Sequence, residues 1–183
     1  MVAIARRLSE RGVSVVTFNF LYTERKRRSP DRAPILEATW TTVLDAVVAR
    51  LTPQGRIAIG GKSMGGRIAS QVAASKPDTE AWRRVGGLVL LGYPLHPPGQ
   101  PQKPRVAHLP AIEVPILLVQ GTRDTFGTRE EIEPVFGSLK TRVDYEFIES
   151  GDHSFSVPKS SGHSEADILD RVADRVAPWI AAL

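Results

Sequence analysis

The sequence predicts an α/β fold: about five mostly parallel strands flanked by helices, in a single domain spanning residues 1–183. Three observations carry that expectation. Short apolar runs alternate with longer stretches of helical periodicity. The runs are apolar throughout rather than at every second residue, which is how strands buried on both faces read. Ser63, Asp124 and His153, three residues of complementary chemistry, each fall just past the end of such a run.

Taken in order, Val2, Ile4, Ala5 and Leu8 sit near helical spacing, and Gly12 stops an amphipathic helix. Val13–Phe20 is β-branched and aromatic and reads as the first strand. Glu24-Arg25-Lys26-Arg27-Arg28 reads as a solvated loop before Pro30, with a patch for an anionic partner as the alternative. Between Pro34 and Leu51, Leu36, Trp40, Val43, Leu44, Val47 and Leu51 share one helix face, and the proline opens the helix. Residues 56–60 form a strand, followed by a helix to about Lys76-Pro77. Val85–Tyr93 is a buried strand. Prolines at 94, 97, 98, 101, 104, 110 and 115 forbid a long helix, so this stretch is a loop. It leaves a strand end, the side on which sites gather in parallel sheets. Ile116–Gln120 is a strand, Thr128–Leu139 a helix and Val143–Ile148 the last strand. Ser164 caps the final helix, which buries Ile168, Leu169, Val172, Val176 and Ile180 and runs to Leu183.

Composition narrows the function classes. At 183 residues and 42% hydrophobic, the chain suits one globular core. A net charge of +4 is too mild to mark a nucleic-acid binder. No cysteine is present, which excludes disulfides and thiolate metal sites and is compatible with a cytoplasmic location. No apolar run approaches the roughly 18 residues that span a membrane. Charges at Arg6, Arg7, Glu10 and Arg11 interrupt any signal-peptide core. The expectation is a cytoplasmic protein with no nucleic-acid or membrane partner.

The chemistry centres on Arg56–Arg67. Ile57, Ala58 and Ile59 run into Gly61-Lys62-Ser63-Met64-Gly65, and a helical pattern follows at Ile68, Ala69, Val72 and Ala73. Strand, tight turn and helix are the setting of a nucleophile elbow, which holds its serine in strained backbone geometry. The flanking glycines are expected where a Cβ would collide with the neighbouring strand or helix. The Met64 N–H, at a helix N-terminus, is free to face an oxyanion. Two alternatives stand beside this. Ser63 could simply cap the following helix. Gly61-Lys62-Ser63 also resembles the end of a phosphate loop, but the first glycine of that pattern would fall on Arg56.

A serine hydroxyl needs a base, and the base an orienting carboxylate. Gly121-Thr122-Arg123-Asp124 follows one strand, and Glu149-Ser150-Gly151-Asp152-His153 follows another. The chain order Ser63, Asp124, His153 is that of an α/β-hydrolase triad. Asp152 ranks below Asp124 as the acid, because it is next to His153 and is expected to point elsewhere. His96, His108 and His163 lie in loops away from strand ends. Lys62, Tyr93, His96 and Phe126 are expected to shape the substrate pocket. No cluster has metal-ligand spacing, and no cofactor is implied.

Gly61-Lys62-Ser63-Met64-Gly65-Gly66-Arg67, Gly92-Tyr93-Pro94-Leu95-His96-Pro97-Pro98-Gly99, Gln120-Gly121-Thr122-Arg123-Asp124 and Gly151-Asp152-His153-Ser154-Phe155 together resemble one α/β-hydrolase family. It holds small bacterial dienelactone-hydrolase-like proteins and the hydrolase-like domain of NSL complex subunit 3. The resemblance spans the chain and implies a nucleophile at Ser63, an acid at Asp124 and a base at His153. It implies a carboxylesterase-like serine hydrolase acting on a small ester. A hydrolase-fold scaffold that binds a protein partner is the alternative, since some members resemble scaffolds. Family members begin with a strand and a His-Gly-Ala-Gly-type loop that supplies a second oxyanion donor. Neither precedes the first helix here. Three outcomes are open: a truncated gene start, a reduced sheet in which 13–20 pairs directly with 56–60, or a second copy filling the gap in a homodimer. The first two are favoured.

Overall fold

The structure is a computed structural model that describes residues 1–51 and 55–183. The chain runs α1 (Val2–Glu10), α2 (Leu21–Glu24), α3 (Ala33–Val48), β1 (Ile57–Lys62), α4 (Met64–Ser75), α5 (Glu80–Arg83), β2 (Val85–Leu91), β3 (Ile116–Gly121), α6 (Arg129–Gly137), β4 (Val143–Ile148) and α7 (Glu165–Ala181). The four strands form one parallel sheet in the order β1-β2-β3-β4. Parallel neighbours need crossover connections. Helices α4 and α5 make the first and α6 the last. The proline-rich segment makes the middle one, with only a short 3-10 turn at Leu109–Ala111.

The continuous apolar strands are explained by two cores, one on each face. Along β2, Leu88 and Leu90 join Leu36, Trp40, Leu44, Ile68 and Val72 from α3 and α4. Val89 and Leu91 point the other way, to Ile4 and Leu8 of α1 and Val172, Val176 and Trp179 of α7. Successive strand residues face opposite sides, so a strand covered on both must be apolar at every position. On the second face, α1 is also tied to α7 by ion pairs: Arg7 Nε to Asp170 at 3.2 Å and Arg11 Nε to Asp174 at 2.7 Å. Ser164 caps α7 as expected, accepting from the Asp167 N–H in a capping box.

Residues 13–20 depart from expectation. The segment forms no strand, so among the described residues the sheet has four strands rather than five. Side-chain packing holds it instead of a ladder. Phe18 meets Trp40 edge-on at 4.9 Å and Phe20 packs in the first core. Val13 and Val15 lean on the second core, and Val16 is exposed. The segment and the outer edge of β1 face each other across a cleft of about 520 Å3, lined by residues that include Val15, Phe18, Trp40, Ala58 and Ile59. A reduced sheet in which 13–20 pairs with 56–60 is therefore not formed.

Smaller corrections follow from local chemistry. A short helix, α2, ends at Glu24 with Arg25 as its cap, and the charged residues 24–28 are all exposed, as a solvated stretch requires. Helix α3 ends at Val48, and Leu51 lies exposed rather than on the buried face. The short α5 is initiated by Thr79, whose side chain accepts from the Trp82 N–H at 3.1 Å.

Candidate active site

Strand β1 delivers Ser63 to the carboxyl edge of the sheet, immediately before α4. Ser63 has φ 52° and ψ −122°, a backbone region that a residue with a Cβ rarely adopts. Its N–H donates to the Leu91 carbonyl at 2.9 Å, fixing the turn to β2. The Ser63 side chain makes no capping bond to α4, so the simple helix-cap reading does not describe it. The tightness comes from two glycines. A Cβ on Gly61 would lie 2.9 Å from the Gly65 carbonyl carbon, and one on Gly66 would lie 2.5 Å from the Gly61 oxygen. At Gly65, the second glycine of the motif, a Cβ meets nothing within 4 Å, so the expected crowding belongs to Gly66 instead.

The ends of β3 and β4 bring two more residues to Ser63. Asp124 is fully buried. Its Oδ2 lies 2.8 Å from His153 Nδ1, and His153 Nε2 lies 2.8 Å from Ser63 Oγ. With Nδ1–H donating to the carboxylate, Nε2 has its lone pair toward the Ser63 hydroxyl. Asp124 Oδ1 accepts from the Phe126 N–H at 2.8 Å, and Oδ2 also accepts from Gln120 Nε2 at 2.8 Å. Asp152 points elsewhere, accepting from the N–H groups of Ser154 and Ser156 at 2.7 and 2.9 Å. Met64 opens α4, so its N–H has no acceptor within that helix.

Four residues were expected in the pocket, and the structure separates them. A cavity of about 350 Å3 opens beside Ser63, and Phe126 lines it. The Phe126 ring also packs on His153 with centroids 4.2 Å apart. Lys62, Tyr93 and His96 do not line this cavity. Lys62 donates from Nζ to the His153 carbonyl at 2.5 Å and lies over the Phe155 ring, bracing the base from below. Burial lowers its pKa, against the pull of Asp124 and Asp152. That engagement leaves no phosphate-loop arrangement, since Lys62 ends a strand instead of sitting in a loop. Tyr93 is buried, its hydroxyl donating to the Arg105 carbonyl at 2.8 Å, and burial pushes its pKa up to about 12. His96 is buried between Glu131, at 3.2 Å from Nε2, and the Pro97 carbonyl, at 2.8 Å from Nδ1. It fastens the proline loop to α6. His108, farther along that loop, pairs with Ser70 of α4 at 2.7 Å. His163 is exposed.

Sequence reasoning missed Gln120, Arg67 and Arg105. Gln120 is fully buried, accepts from the Tyr93 N–H at 2.8 Å and donates to Asp124 and to the Gly127 carbonyl at 2.9 Å. The signal was a lone amide ending an otherwise apolar strand. Arg67 and Arg105 line the cavity with Ser63. Among the described residues, no group of three or more His, Cys, Asp or Glu could hold a metal, and no helix is long and apolar enough to cross a membrane.

Known structures share this frame. A lidless α/β serine hydrolase from Xanthomonas campestris superposes with a TM-score of 0.73 at 20% identity, covering 100% of this chain and 74% of its own. An α/β serine hydrolase homologue from Coxiella burnetii gives 0.72 at 21% identity, covering 97% and 74%. Est1E from Butyrivibrio proteoclasticus, solved with ferulic acid bound, gives 0.73 at 13% identity, covering 100% and 83%. At these identities the likeness is one of fold. Residues 1–181 match the family described as Alpha/beta hydrolase domain, and by that extent the chain belongs to it.

Proposed function

We propose that the protein is a serine hydrolase that cleaves a small ester through an acyl-enzyme. The observation that carries this reading is the unbroken hydrogen-bond chain from Ser63 through His153 to Asp124, 2.8 Å at each step. Ser63 Oγ bonds to the ester carbonyl carbon as its proton passes to His153 Nε2. The carbonyl electron pair moves onto oxygen, which the Met64 N–H faces. The acyl–oxygen bond then breaks, and the departing alkoxide takes the proton from Nε2. A water repeats the sequence: its proton goes to His153, its oxygen to the acyl carbon, and Ser63 leaves with the proton as the acid is released. Asp124 holds the imidazole in the productive tautomer and stabilises its cation.

The test is intact mass after incubation with a fluorophosphonate, wild type beside Ser63→Ala. A single adduct on the wild type and none on the variant is the expected result. A folded wild type that takes no label would favour the second reading, a hydrolase-fold scaffold. One observation speaks for that reading: among the described residues β1 is an edge strand along the cleft, and such an edge pairs with added strands. Against it, a scaffold has no use for three polar side chains aligned at hydrogen-bond distance.

A further inference from the structure

The cavity beside Ser63 carries more positive charge than ester cleavage needs. Arg67 lines it from the first turn of α4, and Arg105 lines it from the proline loop. Arg67 Nη1 donates to Gln71 at 3.3 Å, but its Nε is buried with no partner. Arg105 is anchored through its backbone: its N–H donates to the Leu95 carbonyl at 2.7 Å, and its carbonyl accepts the Tyr93 hydroxyl at 2.8 Å. That leaves its guanidinium as the part free to meet a ligand. Among the described residues, neither guanidinium has a carboxylate within ion-pair distance. The two cations also work against each other. Burial lowers the Arg67 pKa first, and Arg105 lowers it further, with Glu37 opposing from a distance.

One carboxylate does line the cavity. Asp31 is already engaged by the Arg27 guanidinium, and its second oxygen is buried without a partner. Its charge disfavours a ligand with two anionic groups and leaves room for one. A half-buried cation pair with an orphaned N–H is unfavourable in the empty protein, because Glu37 and Tyr93 offset the desolvation and the repulsion only in part. Such arrangements concentrate where a ligand supplies the missing charge.

We propose that Arg67 and Arg105 hold the single carboxylate of an anionic ester whose carbonyl lies at Ser63. This rests on the hydrolase reading and names its substrate class: short half-esters of dicarboxylic acids, or esters bearing one free carboxylate. The cavity limits the length. Ser63, Arg67 and Arg105 line one cavity of about 350 Å3, which suits a short ester with its acid a few carbons from the carbonyl. Planar guanidinium forks match carboxylate geometry, which favours this ligand over a cation or a neutral chain.

The test compares mono-p-nitrophenyl glutarate with p-nitrophenyl pentanoate, a neutral ester of equal chain length, at low ionic strength. The ratio of kcat/KM, anionic over neutral, is expected to exceed about ten and to fall roughly tenfold in Arg105→Gln and in Arg67→Gln. Arg105→Lys should recover part of it, and 0.5 M salt should compress it. A wild-type ratio near one, or a ratio that neither substitution moves in folded variants, overturns the proposal. A separate readout needs no turnover: calorimetric binding of monomethyl glutarate to Ser63→Ala, expected to weaken in Ser63→Ala/Arg105→Gln. Absence of fluorophosphonate labelling with that binding intact would sink the hydrolase reading alone. Labelling without binding would sink the anion site alone.

Discussion

Gln120 shows how much of the site rests on a residue that performs no chemistry. Its amide joins Tyr93, Asp124 and Gly127 inside a dry strand end. Gln120→Leu keeps the volume but leaves the Tyr93 N–H and the Gly127 carbonyl unpaired. Destabilisation of about 2–4 kcal/mol is expected from the shift in urea midpoint. Gln120→Glu, which brings a second carboxylate to Asp124, should instead raise the apparent pKa of the pH–rate profile. An unchanged profile would remove Gln120 from the support of Asp124. That Ser63, Asp124 and His153 meet was legible because motif, strand-end placement and chain order agree. Gln120 was not, because one polar residue in an apolar run carries no direction until the loops that converge on it are known. The two glycines of the elbow make the same point. Gly65→Ala is expected to fold and cost less than about 1 kcal/mol, since its Cβ meets open space. Gly66→Ala forces a Cβ to 2.5 Å from a backbone oxygen and should cost about 1–3 kcal/mol or more. Thermal melts of the pair in parallel check this, and equal losses would mean the turn yields.

At the scale of elements, the proline loop between β2 and β3 is the least regular stretch and the most heavily fastened. His96 secures one part of it to Glu131 of α6 and His108 another to Ser70 of α4. Ser70 donates its hydrogen to the Arg67 carbonyl at 2.7 Å, so its oxygen accepts from His108 Nε2–H. Burial first, and the Arg67 charge second, depress the His108 pKa from 6.5 to about 4. A folded state with the lower pKa binds fewer protons between those values. The stability His108 contributes is therefore complete above about pH 6.5 and is lost as pH falls toward 4. His108→Asn should flatten the fall in urea midpoint across that window. A slope identical to the wild type's would place the titration elsewhere. The prolines announced a loop in the sequence, but its fastenings were hidden, since each joins residues more than thirty apart in the chain.

For the whole molecule, the α/β class and the positions of the four strands along the chain were legible, and their order in the sheet and the fate of residues 13–20 were not. Val-Ser-Val-Val-Thr-Phe-Asn-Phe has every local mark of a strand. A strand also needs an edge to pair with, and local composition says nothing about where that edge lies. All of the segment's apolar side chains except Val16 lean on the two cores, while its backbone is not in a ladder. Amides of residues 14–20 are expected to exchange with solvent within minutes, whereas those of Leu117–Val119 exchange only on global unfolding. Mass-spectrometric exchange reads both on one sample. Strong protection over 14–20 would mean that the segment is in a ladder after all.

The backbone of Ser63 has a consequence for how this chain would drift. A residue with a Cβ at φ 52° and ψ −122° holds roughly 1–3 kcal/mol of strain. Glycine relieves it, and after its entropic penalty Ser63→Gly should gain stability of about 1 kcal/mol. A lineage released from the need for a nucleophile would thus find a downhill substitution waiting at this codon. Keeping a serine at this position costs the fold that stability, and a thermal melt of Ser63→Gly beside the wild type reads the difference directly.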